Sequence, residues 1–247
     1  MRSWVAPVCL ALVAACGAEA PPSAARTPTP FDRATAGTIT GEVRVEGAVP
    51  AMAEIRFGAF GECASQHPGP VPLGDLVVHD GKVANAFAYV KDGLGDRVFA
   101  VRAEPVVIDQ AGCLYAPRLA GAQVGQAVRF VNGDPLLHNV HGTPAASPGW
   151  NVSLGRQGAV REIRVDRPEV PVSVRCDLHP WMQGWLGVVD HPYFAVTGTD
   201  GRFALNDVPP GDYTVAVWHE RLGTQETRVS VPSRGTAAAR FTLTAAR

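Results

Sequence analysis

The residues best suited to chemistry in this sequence are a cysteine, a histidine and a methionine at intervals of three. Cys176, His179 and Met182 lie in the run Cys-Asp-Leu-His-Pro-Trp-Met, after an alternating apolar stretch, Val170 to Arg175, that predicts a strand. A short loop after a strand can place three donors around one ion. Thiolate and thioether are soft ligands and imidazole is intermediate, a set that suits copper in both oxidation states. The loop therefore predicts a metal centre, although a buried methionine can also be a core residue.

A copper site with cysteine and a weak methionine ligand needs a second histidine, because the blue-copper arrangement is trigonal with two imidazoles. That histidine should come from the end of an earlier strand. The predicted strand Gln126 to Asn132 is followed by Asp-Pro-Leu-Leu-His-Asn-Val-His, which contains His138 and His141. The sequence thus offers a suitable donor upstream of the loop.

These segments together resemble the cupredoxin family. Gly-x-x-Val-x-Phe-x-Asn, then Asp, His-Asn and Cys-x-x-His stand in that order, and His-Asn-Val-His with Cys-x-x-His-Pro-aromatic-Met is most similar to the amicyanin-like proteins. The resemblance implies a Greek-key β-sandwich with one type 1 copper at its end, and an electron carrier without substrate turnover of its own. The ligands that it implies are His138, Cys176, His179 and Met182.

The same resemblance implies roles for neighbouring residues. Asn139 would form a hydrogen bond near the cysteine-bearing strand and steady the site. His141 would not be a ligand. The ring edge of His179 would lie near the surface, in an apolar patch that Pro180, Trp181 and Trp185 could supply, with a core position for the aromatic residues as the alternative. A second metal site that uses His141, or His191 with His219, stays open.

The N-terminus has the pattern of an export signal, with Arg2, a short apolar run and small residues before Cys16. The apolar run is too short to span a bilayer as a helix. Val-Ala-Ala-Cys resembles the bacterial lipobox, which implies that residues 1–16 are a lipoprotein signal and that Cys16 carries the lipid anchor. A plain cleaved signal is the alternative. Either signal predicts the periplasm or cell envelope.

The residues after the lipobox refine this prediction. Gly17, where lipoproteins retained at the inner membrane usually have Asp, favours the outer membrane. Residues 17–36 are rich in Ala, Pro, Ser and Thr without an apolar period, which predicts a disordered tether.

The predicted export indicates whether the other cysteines form a disulfide. Exposed thiols normally pair in an oxidising compartment. With Cys9 removed in the signal, Cys16 lipidated and Cys176 on the metal, Cys63 and Cys113 remain, and we predict a disulfide between them. Two buried thiols are the alternative, and the Cys-x-x-x-His spacing of Cys63 and His67 is a weak signal for a second metal site.

Short alternating segments separated by Gly and Pro predict an all-β fold. Asp200-Gly-Arg-Phe-Ala-Leu and Pro209-Pro-Gly-Asp-Tyr-Thr resemble the carboxypeptidase regulatory-like, or transthyretin-like, β-sandwich, and Gly41-Glu-Val and Ala86 to Val90 match its earlier strands. We therefore predict a cupredoxin domain inserted in or packed on that sandwich. The predicted bounds are residues 37–100 plus 193–247 for the outer sandwich and 104–192 for the cupredoxin domain.

Several classes are disfavoured. A net charge of −1 without blocks of like charge argues against nucleic acid as a partner, and Gly93-Leu-Gly lacks the third glycine of a nucleotide-cofactor loop. The sequence has no His-x-His pair for a catalytic copper cluster. Copper storage or delivery, and an envelope scaffold with incidental copper, remain as alternatives to an electron carrier. The redox protein partner is unknown at this stage.

Overall fold

The computed structural model describes residues 27–245, so the predicted signal, Cys16 and the first half of the predicted tether lie outside the described residues. The predicted all-β fold is confirmed. The helical elements are a 3-10 turn at Arg33–Thr35 and α1 at Gly61–Ala64. Within residues 27–245, no helix has the length and hydropathy needed to cross a bilayer. The strands are β1 Gly37–Glu46, β2 Val78–His79, β3 Lys82–Val83, β4 Phe87–Asp92, β5 Val106–Ala111, β6 Leu114–Ala116, β7 Leu119–Gln123, β8 Val128–Asn132, β9 His138–Thr143, β10 Trp150–Leu154, β11 Val160–Ile163, β12 Glu169–Arg175, β13 Gln183–Val189, β14 Phe194–Val196, β15 Arg202–Val208, β16 Gly211–His219, β17 Gly223–Val231 and β18 Thr236–Thr244.

The first and last strands meet in one sandwich. Its sheets have the orders β15-β1-β3-β2, with β18 also paired to β1, and β14-β4-β16-β17. Burial alternates strictly along β18, because Ala237, Ala239, Phe241 and Leu243 point inward and the residues between them point outward. Ile39, Val217 and Phe241 lie in the shared core. The Asp80-Gly81 turn joins β2 to β3 with positive φ at both positions, as a two-residue hairpin requires.

The middle strands form a second sandwich, with the orders β10-β9-β12-β13-β7 and β11-β8-β5-β6. Phe130, Leu154 and Leu186 are fully buried in its core. Part of the segment between β1 and β2 also belongs to this core, since Cys63 and Phe57 pack there. The domain bounds predicted from the sequence stay a prediction, and this segment is the part that crosses between the two sandwiches.

The two sandwiches contact each other through β4 on one side and β7 and β13 on the other. Phe87 of β4 lies against Gly187 of β13, so closely that a Cβ there would come within 2.4 Å of the ring. Trp185 packs on Trp218 with ring centroids 5.2 Å apart. The contact therefore depends on a residue without a side chain at the place where the aromatic ring enters.

A buried ion pair adds to this contact. The Arg118 guanidinium donates two hydrogen bonds to the Glu220 carboxylate, at 2.6 and 2.8 Å, and a third to the carbonyl of Leu73 at 3.0 Å. Both charged side chains are mostly buried, and the paired geometry satisfies their charges. Arg118 thus joins the second sandwich to the first and to the segment before β2.

Candidate metal centre

Two neighbouring strands and one loop bring the predicted ligands together. β9 begins at His138, and β12 ends at Arg175, directly before Cys176. The two strands pair antiparallel, with Arg175 opposite His141, so the start of one lies beside the end of the other. The loop then closes on itself, because the N–H of Cys176 donates to the carbonyl of Met182 and the N–H of Met182 donates to the carbonyl of His179.

The side chains of His138, Cys176 and His179 converge at this point. All three are buried, and their ligand atoms lie within 4.8 Å of one another. Nδ1 of His138 is 3.1 Å from Nδ1 of His179, and Nδ1 of His179 is 3.5 Å from Sγ of Cys176. Cys176 is the cysteine outside a disulfide among the described residues.

These separations fit a bound ion. For bonds of about 2.0 Å to imidazole and about 2.3 Å to thiolate at tetrahedral angles, as for first-row ions such as zinc, ligand atoms are separated by about 3.3 to 3.6 Å. The observed separations are close to these values without any movement of the backbone. A soft sulfur beside two imidazoles is a donor set that copper accepts.

Met182 is nearly fully buried, at 1% exposure, and lies in the same core as Cys176. Its backbone is tied to both Cys176 and His179. This places the methionine within the closed loop, and its role as an axial ligand stays a prediction.

Asn139 connects β9 to the loop. Its Oδ1 accepts hydrogen bonds from the N–H of Asp177 at 2.7 Å and from the thiol of Cys176 at 3.2 Å. Its Nδ2 donates to Asn151 and Asp177 at 2.7 and 2.9 Å. The Asn139 carbonyl accepts from the buried hydroxyl of Tyr115 at 3.1 Å. The asparagine therefore fixes the position of the cysteine relative to His138.

Asp134 is a functional residue that the sequence analysis did not single out for a role. Its buried carboxylate lies 2.9 Å from Nε2 of His138 and accepts from the N–H groups of Gly112 and Cys113 at 2.7 and 2.8 Å. An imidazole whose outer nitrogen is held by a carboxylate has a fixed ring orientation. The signal that could have found it is its spacing of four residues from His138.

Cys63 and Cys113 form a disulfide with an S–S distance of 2.07 Å. It attaches residues 55–67, here called the strap, to the second sandwich. Phe57 of the strap stacks on His67, with centroids 5.2 Å apart, and both Phe57 and Phe60 contact the edge of Trp181. The strap belongs to the segment between β1 and β2, so a connection between two strands of the first sandwich supplies residues beside the candidate metal centre.

The strap also covers His179. The Phe60 ring lies 5.4 Å from the His179 ring, between centroids, and His179 retains only 6% exposure. A cleft of about 600 Å³ opens beside these rings, and Leu137 and Leu178 form its other walls. The apolar surface expected around His179 is therefore built from Phe60, Leu137 and Leu178, which are 39%, 49% and 43% exposed.

Of the tryptophans expected in that patch, Trp181 lies beside His179, with ring centroids 5.5 Å apart, whereas Trp185 lies elsewhere. Trp181 is half-buried, and its indole N–H donates to the carbonyl of Cys113 at 3.0 Å. Trp185 packs on Trp218 between the sandwiches, because alternate residues of β13 face opposite sides of the sheet. Pro180 is exposed beside His179.

The remaining histidines lie in hydrogen-bonded positions. His141 contacts the carboxylate of Asp177 at 2.9 Å. His191 contacts the Val90 carbonyl at 2.7 Å, and His219 accepts from the N–H of Arg221 at 3.1 Å. Within residues 27–245, none of these three belongs to a group of side chains arranged to hold a metal.

Charges near the centre follow from burial and hydrogen bonding. Burial lowers the pKa of His179, the nearby His138 lowers it further, and Asp134 opposes the shift. The hydrogen bond from His141, with others from Asn151, Asn139 and Arg175, holds the pKa of Asp177 well below its usual range. Burial raises the pKa of Tyr115 far above its usual range. At neutral pH, a neutral His179 imidazole leaves a nitrogen lone pair free for an ion.

The fold and this centre define an all-β protein of two sandwiches with a buried Cys-His-His group. Residues 188–244 match the carboxypeptidase regulatory-like domain family, as the sequence predicted for the C-terminal part of the chain. No curated protein matches the chain.

The solved structures to which the chain is similar include cupredoxins, as expected from the motifs. The copper-containing nitrite reductase of Thermus scotoductus SA-01 is 24% identical at a TM-score of 0.32, over 38% of this chain and 24% of the reductase. A purple cupredoxin from Nitrosopumilus maritimus is 23% identical at a TM-score of 0.29, over 34% of this chain and 98% of that protein. A Cu(I) amicyanin variant is 20% identical at a TM-score of 0.31, over 41% of this chain and 97% of amicyanin. The chain thus spans about a quarter of the reductase's length.

Proposed function

We propose that this protein is an exported type 1 copper protein that carries single electrons between redox partners of the cell envelope. The observation that carries the proposal is the convergence of His138, Cys176 and His179 in one buried group at separations that fit an ion. Met182 is the proposed fourth ligand, on the closed loop that also carries Cys176 and His179.

Copper bound here would supply one-electron chemistry by cycling between Cu(I) and Cu(II). The chain's contribution is to hold the ligands in one arrangement that serves both states. Asp134 fixes the ring of His138, and Asn139 fixes Cys176 relative to β9. The core around Cys176 and Met182 excludes water, so little must reorganise when an electron arrives.

We assign the cleft beside His179 to the redox partner. Phe60, Leu137 and Leu178 offer an apolar rim, and the His179 ring lies directly beneath it. Exposed apolar side chains grouped around a buried ligand favour a protein partner that approaches closely.

A carrier is favoured over an enzyme by the placement of the metal-binding groups. Among residues 27–245, three groups of suitable side chains occur, and all contain His138 or His179. A multicopper enzyme needs a separate catalytic copper site. We further propose attachment to the outer membrane through Cys16, on the strength of the lipobox and of Gly17.

The test is the visible spectrum and cyclic voltammogram of the copper-loaded full chain beside those of Cys176→Ala. We expect an intense blue band and a reversible one-electron wave from the parent chain. We expect neither from Cys176→Ala, because the thiolate gives both the colour and the conduction path. His141→Ala is the matched control and should keep the blue band, since His141 lies outside the ligand group.

Other outcomes contradict the proposal. A colourless, tight Cu(I) complex without a reversible wave would indicate copper storage or delivery instead. No uptake of copper by the parent chain would indicate a scaffold. Equal spectra for the parent and Cys176→Ala would remove Cys176 from the site.

A further inference from the structure

The sulfurs of the disulfide lie among the metal-binding side chains. Sγ of Cys63, Sγ of Cys113 and one ring nitrogen of His179 are all within 4.8 Å of one another. The Cys113 sulfur is likewise within 4.8 Å of a ring nitrogen of His138 and a carboxylate oxygen of Asp134. The proposed electron carrier uses neither sulfur, and a structural disulfide does not need two imidazoles beside it.

We propose that reduction of the disulfide creates a second soft-metal site, in which the thiolates of Cys63 and Cys113 and the imidazole of His179 bind Cu(I). Thiolate, not disulfide sulfur, is the effective ligand, so the site exists only in the reduced protein. Two thiolates and an imidazole form a soft set that selects Cu(I) among the biological copper ions. The site does not involve Cys176.

The reduction is an ordinary thiol–disulfide exchange. A dithiol reductant supplies two electrons and two protons, its own sulfurs become a disulfide, and the Sγ–Sγ bond between Cys63 and Cys113 breaks to give two thiols. Binding of Cu(I) then displaces the thiol protons to solvent. No copper ion changes oxidation state in these steps.

The backbone around both cysteines is held by contacts that do not depend on the S–S bond. The N–H of Cys113 donates to Asp134 at 2.8 Å, and its carbonyl accepts from Trp181 at 3.0 Å. On the strap, His67 contacts the Gly112 carbonyl at 2.8 Å and stacks on Phe57. Reduction therefore leaves the two thiols near each other, which is the preorganisation that a metal site needs.

The site can be reached from outside. Cys63 is almost fully buried, yet it lines the cleft together with Phe60, Leu178 and His179. A reductant and an ion can enter through the same opening. Because His179 also belongs to the Cys176 group, an ion held by the reduced pair competes with the first site for that ring.

The experiment uses the full chain with Cys176→Ala, which removes the first site's thiolate. Oxidised and phosphine-reduced samples are titrated anaerobically with Cu(I) against a chromogenic chelator, and near-ultraviolet circular dichroism reports tertiary structure. We expect the reduced sample to take up one equivalent of Cu(I) and the oxidised sample to take up none. Adding His179→Ala should weaken binding by at least about tenfold, whereas adding His141→Ala, the matched control, should not change it.

Three results would overturn this inference: equal uptake by the reduced and oxidised samples, unchanged affinity after His179→Ala, or loss of the near-ultraviolet signal on reduction. The outcome is independent of the proposed electron carrier. A blue, reversible parent protein with no Cu(I) uptake by the reduced Cys176→Ala chain would reject the second site alone. Uptake of Cu(I) by the reduced Cys176→Ala chain, together with a copper-loaded parent protein that is neither blue nor reversible, would reject the electron carrier alone.

Discussion

Asp134 holds three groups at once. Its carboxylate contacts Nε2 of His138 and accepts from the N–H groups of Gly112 and Cys113, in a position with 2% exposure. A buried carboxylate with three partners is well satisfied, so its removal takes the partner from the N–H groups of Gly112 and Cys113 and from Nε2 of His138. At the scale of residues, the geometry of the centre depends on this side chain as much as on the ligands.

We therefore expect Asp134→Ala to weaken copper binding by about 10- to 100-fold, as for other residues that orient a metal-binding histidine. Competition with a chelator of known affinity measures the effect. Asp166→Ala, at an exposed position, is the control and should bind copper like the parent chain. Unchanged affinity in Asp134→Ala would show that the ring of His138 is oriented by other contacts.

The elements of this protein are joined by close contact between sheets. Phe87 of β4 projects onto β7 and β13 at Gly121 and Gly187, where a Cβ would lie within 2.7 and 2.4 Å of the ring. β13 also starts directly after Met182, so it links the sandwich contact to the end of the ligand loop. Packing at this contact therefore affects both the free energy of unfolding and the position of the loop that ends at Met182.

We expect Gly187→Val to lower the free energy of unfolding by about 1–3 kcal/mol, because a side chain inserted into a packed interface forces its neighbours apart. Urea unfolding followed by circular dichroism measures this. Gly69→Ala, with open space around the position, is the control and should change little. Equal stability of the two variants would mean that Phe87 has room to move.

Much of the element structure is readable from local sequence. The Asp80-Gly81 turn, the alternation of β18 and the strand before Cys176 are all set by neighbouring residues, which is the information that periodicity and turn chemistry use. The order and spacing of His138, Cys176 and His179 likewise indicated which side chains converge.

The position of the strap could not be predicted from the local sequence. Phe60 lies far from His179 in sequence, and no local pattern says that a segment between two strands of one sandwich will cover the predicted ligands in the other. Trp185 was misplaced for a related reason: a motif names a residue type, whereas the pleat of β13 decides which face it occupies. Long-range packing, not local chemistry, decides both positions.

At the scale of the whole molecule, two buried histidines link folding to pH. His191 and His219 are 5% and 1% exposed, and burial lowers the pKa of each below the ordinary 6.5. The negative charge of Asp190 partly opposes the shift of the His191 pKa, and that of Glu220 partly opposes the shift of the His219 pKa. Below that pH the unfolded chain binds protons that the folded chain does not. Stability is therefore complete above the ordinary pKa and declines as the pH falls through it toward the folded value.

We expect the metal-free parent chain to lose more unfolding free energy than His191→Gln between about pH 7.5 and about pH 5.5. Glutamine can still donate to the Val90 carbonyl but does not titrate. Urea unfolding at the two pH values measures the difference. His79→Gln, at a side chain that is 73% exposed, is the control and should keep the parent's dependence. An equal slope in His191→Gln would mean that other groups set the pH response.

The parallel pairing of β1 with β18, from Thr38 beside Thr236 to Glu46 beside Thr244, joins the earliest strand to the latest one. Synthesis and the proposed export both deliver the chain in order, so β1 can pair with β18 only after all the other described strands have emerged. The middle sandwich, whose last strand ends at Val189, has all its strands outside before the outer one can close. The strands of the middle sandwich, which carry the predicted ligands, are therefore all available before the outer sandwich can form completely.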